Sequence, residues 1–136
     1  MGCNDVGMGF FGNLFRKQRT REVIAATPGE DFIATGRKYY QRAFKRVAKS
    51  EGWQLPEKVG AKHGYPLTVS LIPEPDNEND PRAVMVCYGS ALLGYVPREE
   101  TTRFHRQFKS SSTYELGADA RLWRDTKGQW ALRVYA

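Results

Sequence analysis

Residues 83–96, AVMVCYGSALLGYV, constrain the fold of this chain more than any other stretch. Two apolar runs flank Gly89-Ser90, and a two-residue connection of that kind folds them back on each other as a hairpin. The first run is continuously apolar, as expected of a central strand. Neighbouring segments supply further strands. Leu67, Val69 and Leu71 alternate with Thr68 and Ser70. Further on, ELGADARLW (115–123) alternates Leu116, Ala118, Ala120 and Leu122, DTKG (125–128) turns, and QWALRVY (129–135) returns with Trp130, Leu132 and Val134. This period-two pattern is that of half-buried strands. DFIAT (31–35) reads as the first strand, ended by Gly36.

Two helices interrupt the strands. Tyr40, Ala43, Phe44, Val47 and Ala48 fall on one helical face, with Arg42, Lys45, Arg46 and Lys49 on the other. Gly52 breaks that helix, and residues 53–66 read as a long connection. A second helix is expected with Pro97 at its N1 position and Glu99 and Glu100 in its first turn, where the helix dipole favours acids. It carries Phe104 and Phe108 inward. Six strands and two helices, mostly joined by hairpins, predict a mainly β fold: a small antiparallel β-barrel with helical embellishments.

At 136 residues the chain is expected to form one domain. Residues 1–30 read as a partly ordered N-terminal extension, in which FFGNLF (10–15) and RKQRTR (16–21) form either a short amphipathic helix or a tail. Residues 31–136 form the domain proper. No apolar run approaches the roughly 20 residues of a membrane span, and no secretory signal is evident. MGCNDV resembles a myristoylation signal, but Val6 stands where Ser or Thr is needed. The two cysteines, Cys3 and Cys87, lie far apart, so a disulfide is not expected and a reducing cytoplasm is. A monomer is expected.

The net charge is +6, and residues 36–49, GRKYYQRAFKRVAK, hold six Lys or Arg and no acid. That concentration suggests a polyanionic partner. Against it stands EPDNENDP (74–81), with four carboxylates and two prolines in eight residues. As a calcium loop it would need Gly and Glu where Pro81 and Cys87 stand. As a nuclease centre it lacks a second acidic cluster or a suitably spaced histidine, since His63 and His105 are isolated. No phosphate-cradling glycine loop, catalytic triad or zinc spacing is present. No enzyme activity, metal or cofactor is therefore expected. Read without a ligand, EPDNENDP is a rigid corner of Asx turns and fixed prolines before a core strand.

The order of these features resembles that of the HIRAN domain, in the form found in bacterial proteins. The resemblance rests on Glu74, Pro75, Asn77, Asp80, Ala83 and Val84, then on Gly94, Tyr95, Val96, Pro97, Arg98 and Glu99. Upstream, Gly36, Tyr40, Gln41 and Ala43 are similar to the family's first motif. Together they cover residues 31–135. The resemblance implies an OB-like barrel and a non-catalytic module that captures single-stranded DNA by its 3′-hydroxyl end, in DNA repair or replication-fork processing, with a helicase or nuclease as a further partner. Asn79 stands where the eukaryotic motif has a tyrosine, so one stacking surface is missing.

The residues themselves agree with this. Single strands are held by basic grooves and stacking rings. Arg37, Lys38, Tyr39 and Tyr40 offer cations and rings; Tyr40 fits both the helix core and a stacking role, whereas Tyr39 lies off the apolar face. Arg98 is a phosphate contact by resemblance, and Asn77 either touches a base or braces the corner. Asp80 would accept a hydrogen bond from a terminal hydroxyl, which a strand interior does not present. The competing reading is a protein-interaction module that docks an acidic partner on Arg42, Lys45, Arg46 and Lys49.

Overall fold

Strand-forming sequence accounts for most of the architecture. A computed structural model describes residues 24–27, 29–53 and 64–136. The strands are β1 (Ile24–Ala25), β2 (Phe32–Ile33), β3 (Tyr65–Pro73), β4 (Val84–Tyr88), β5 (Ala91–Tyr95), β6 (Leu116–Arg124) and β7 (Trp130–Tyr135), with helices α1 (Gln41–Ser50) and α2 (Thr101–Ser111). The expected amphipathic stretch at 10–21, Cys3, most of the 53–66 connection and His63 lie outside the described residues.

The main sheet runs β2-β7-β6-β3-β4-β5, every pair antiparallel. An isolated antiparallel bridge, Thr35 to Tyr95, joins the two ends of that path. Its two backbone hydrogen bonds measure 2.8 and 3.2 Å. The fold is mainly β, as expected, and the sheet curls into a half-barrel whose two ends meet only at this seam. Gly94 makes the seam possible. It has φ +155°, and a Cβ there would lie 2.7 Å from the Thr35 carbonyl oxygen. Ile24 and Ala25 add a parallel strand on β6 that the sequence pattern did not contain.

Alternation puts Leu67, Val69 and Leu71 of β3 and Leu116, Ala118, Ala120 and Leu122 of β6 into one core. β4 is buried on both faces, as its unbroken apolar run predicts: Val84 and Val86 face the main core, while Met85 and Cys87 join Ile72 and Leu92 in a second cluster. Cys87 is disulfide-bonded, which corrects the expectation of a reduced cysteine. α1 buries Phe44, Val47 and Ala48 and lies against β5 and β7. α2 buries Phe104 and Phe108. Pro97 is not at the N1 position of α2. It precedes a 3₁₀ turn, Arg98–Glu100, that leads into the helix. Among the described residues no helix is long and apolar enough to cross a membrane.

Candidate nucleic-acid interface

The acidic stretch is a tightly bonded corner between β3 and β4. The Asn77 side-chain oxygen accepts the backbone N–H groups of Asn79 and Asp80, each at 2.9 Å. Asp80 Oδ1 in turn accepts the Arg82 backbone N–H at 2.9 Å. These are the Asx turns expected of Asn and Asp in such a run. Glu74 is their anchor. It is 7% exposed, and its Oε1 accepts both the Asn77 amide N–H and the Tyr95 hydroxyl, each at 2.7 Å. Asn77 is therefore a brace: its oxygen is saturated by the corner and one amide hydrogen is committed to Glu74.

The corner is also tied to the helical side of the barrel. His105 on α2 bonds the Arg82 carbonyl at 2.8 Å. Arg98, in the turn before α2, brings Nε to 3.5 Å from Asp80 Oδ2. The arginine side chain is 78% exposed and the aspartate 24%. An ion pair this exposed contributes little, about 0–1 kcal/mol, so Arg98 is free to turn to another anion while the corner keeps Asp80 in place.

Asp80 and Arg98 stand on one side of an open cleft of about 390 Å³, shared with Thr35, Asn77, Tyr95 and Pro97. An adjoining hollow of about 350 Å³ lies beyond Asn77 and Tyr95 and is lined by Glu74, Asp76 and Glu78. The cleft thus holds one cation, Arg98, with the carboxylates Asp80 and Glu99, and the adjoining hollow holds three acids and no cation.

The segment leading into α1 passes the seam at Thr35 and turns sharply. Gly36 takes φ +83°, where a Cβ would stand 3.0 Å from the Tyr40 ring. The 3₁₀ turn Arg37–Tyr39 follows. Gln41 fastens it to the barrel: Nε2 donates to the carbonyls of Arg37 and Trp130, both at 2.9 Å, and Oε1 accepts the Trp130 N–H at 2.7 Å. The Tyr40 ring tilts against Tyr95 at 6.3 Å between centroids. Burial, above all, raises the Tyr40 hydroxyl above the ordinary tyrosine range. Burial and then the Glu74 hydrogen bond do the same to Tyr95.

The seven candidate residues fall into three groups. Asn77, Asp80 and Arg98 line one cleft, and Tyr40 joins it through Tyr95. Lys38 and Tyr39 lie on the turn before α1 and do not line the cleft; Tyr39 is 75% exposed, with the Lys38 ammonium 4.9 Å over its ring. Arg37 turns elsewhere, into an ion pair with Asp125 on the β6–β7 hairpin. Sequence reasoning gave no role to Glu74 and Tyr95, although both stand in the motifs that carry the resemblance. Their hydrogen bond spans 21 residues, and no local pattern announces it.

A curled antiparallel half-barrel thus carries an arginine–carboxylate cleft, and the turn before α1 carries one exposed ring, Tyr39. The chain belongs to the HIRAN domain family, whose family model matches residues 31–135. That family is one of nucleic-acid-binding modules, a binding-type domain that is not itself catalytic. No curated protein and no solved structure matches the chain.

Proposed function

We propose that this chain binds single-stranded DNA and reads its 3′-hydroxyl end, with Asp80 as the acceptor for the terminal hydroxyl. The observation that carries this reading is the Asp80–Arg98 arrangement. One carboxylate oxygen is fixed by the Arg82 N–H, and the other pairs at 3.5 Å with the loosely held Arg98 beside it. Arg98 suits the last phosphate, and Asp80 Oδ2 suits the hydroxyl that follows it. A continuing strand would carry its next phosphate toward Glu74, Asp76 and Glu78, where like charges repel it. Such a wall favours ends over interiors. Tyr39, exposed and paired with Lys38, is the stacking ring of this scheme, with Tyr40 half-buried behind it. Roles in DNA repair or fork processing, and a helicase or nuclease partner, follow from the same reading.

Fluorescence anisotropy tests it with matched oligonucleotides ending in a 3′-hydroxyl or a 3′-phosphate. The hydroxyl end is expected to bind more tightly, and Asp80→Ala to shrink the difference. Equal affinity of the native chain for both ends would sink the end-reading mechanism.

A further inference from the structure

α1 shows one face to the barrel and a strongly charged one to solvent. Arg42, Lys45, Arg46 and Lys49 are all exposed, and the pairs 42/45, 46/49, 42/46 and 45/49 lie three or four apart, so they form one stripe. α1 contains no acidic residue. Among the described residues none of the four forms an ion pair, whereas Arg37, Arg98, Arg103 and Arg133 each have a carboxylate partner. Like charges at these spacings destabilise a helix, and nothing on the described surface neutralises them.

The start of α1 is joined to the cleft through one ring contact. Tyr40, the residue before α1, lays its ring against Tyr95, which lines the cleft. From Arg42 to Lys49 the helix rises about 10 Å. A stacked strand carries a phosphate about every 3.4 Å, so the stripe matches about three phosphates. A protein partner fits less well. Protein interfaces centre on buried aromatic or aliphatic anchors, and among the described residues the exposed large hydrophobic side chains are Tyr39, Tyr114 and Tyr135, none of them on α1.

We infer that the α1 stripe is a phosphate track. It holds the backbone of the strand that leads away from the terminus seated in the cleft, so the domain grips more nucleotides than the cleft alone contains. The inference rests on the cleft being the end-binding site, and it assigns the basic helix to the same ligand.

The test compares 3′-hydroxyl oligonucleotides of about four and about twelve nucleotides, bound to the full chain over a range of salt. The native chain is expected to bind the longer one roughly tenfold more tightly at low salt, with a log–log salt slope steeper by about 2 (about 0.7 per phosphate). The variant Arg42→Gln/Lys45→Gln/Arg46→Gln/Lys49→Gln loses that gain but keeps its affinity for the short oligonucleotide and its preference for a 3′-hydroxyl. Lys45→Gln/Lys49→Gln loses about half of the added slope and guards against misfolding of the fourfold variant. A length gain that survives neutralisation of the stripe, or no gain in the native chain, overturns the track. Failure of the cleft reading is a separate result: loss of hydroxyl-over-phosphate preference in the native chain.

Discussion

Removing the Glu74 carboxylate is expected to unfasten the acidic corner. In Glu74→Ala the Tyr95 hydroxyl and the Asn77 amide lose the oxygen they share, at 2.7 Å from each. A buried donor left without a partner costs about 1–3 kcal/mol. Asn77 and Tyr95 are partly exposed, so water recovers some of this, and a total of about 2–4 kcal/mol is reasonable. The backbone bonds of Glu74 to Ala83 and from Asn77 to Glu74 remain, so the chain still turns. For a folded unit of this size each kcal/mol moves Tm by about 4 °C. Thermal unfolding followed by circular dichroism should therefore show a fall of about 8–16 °C. Glu74→Gln keeps an acceptor oxygen and should lose only about 1 kcal/mol. The freed Asn77 would also orient the Asp80 N–H less firmly, so discrimination between 3′-hydroxyl and 3′-phosphate ends should weaken in step. A Glu74→Ala chain that melts with the native protein would refute the account of the corner.

The raised Tyr95 hydroxyl makes a pH prediction. Its folded pKa lies above the unfolded value, so its contribution is complete below about pH 10 and is lost as pH rises toward the folded value. Denaturant unfolding over that alkaline range should show a shallower fall in Tyr95→Phe than in the native chain. Gly94→Ala, which combines positive φ with a Cβ 2.7 Å from the Thr35 oxygen, should cost about 2–4 kcal/mol in chemical denaturation. Tyr39→Ala should leave stability within about 0.5 kcal/mol because the ring is exposed. It should also weaken single-strand binding by about 1–3 kcal/mol in anisotropy titrations.

The sequence declared those parts of the fold whose cause is local. The alternation in β3, β6 and β7, the Gly89-Ser90 turn and the apolar face of α1 each follow from side chains a few residues apart. β1 was not legible, because two residues carry no period. Nor was the 3₁₀ entry to α2, where Pro97 suits either start. The Arg37–Asp125 pair depends on residues brought together from 88 positions apart. The cleft was half visible. Its Asx turns could be read from EPDNENDP, and Asn77, Asp80 and Arg98 from their motif positions. Glu74 looked like one acid among four until its burial against Tyr95 set it apart.

The Thr35–Tyr95 bridge has a dynamic consequence. Two backbone hydrogen bonds hold the edges of the sheet together at the place where the cleft opens, whereas longer ladders secure β3, β6 and β7. Amides at Thr35 and Tyr95 should exchange through local opening, well before global unfolding exposes the central strands. A ligand clasped between the α1 approach and the acidic corner would slow that breathing, so hydrogen exchange at these two positions should register its arrival.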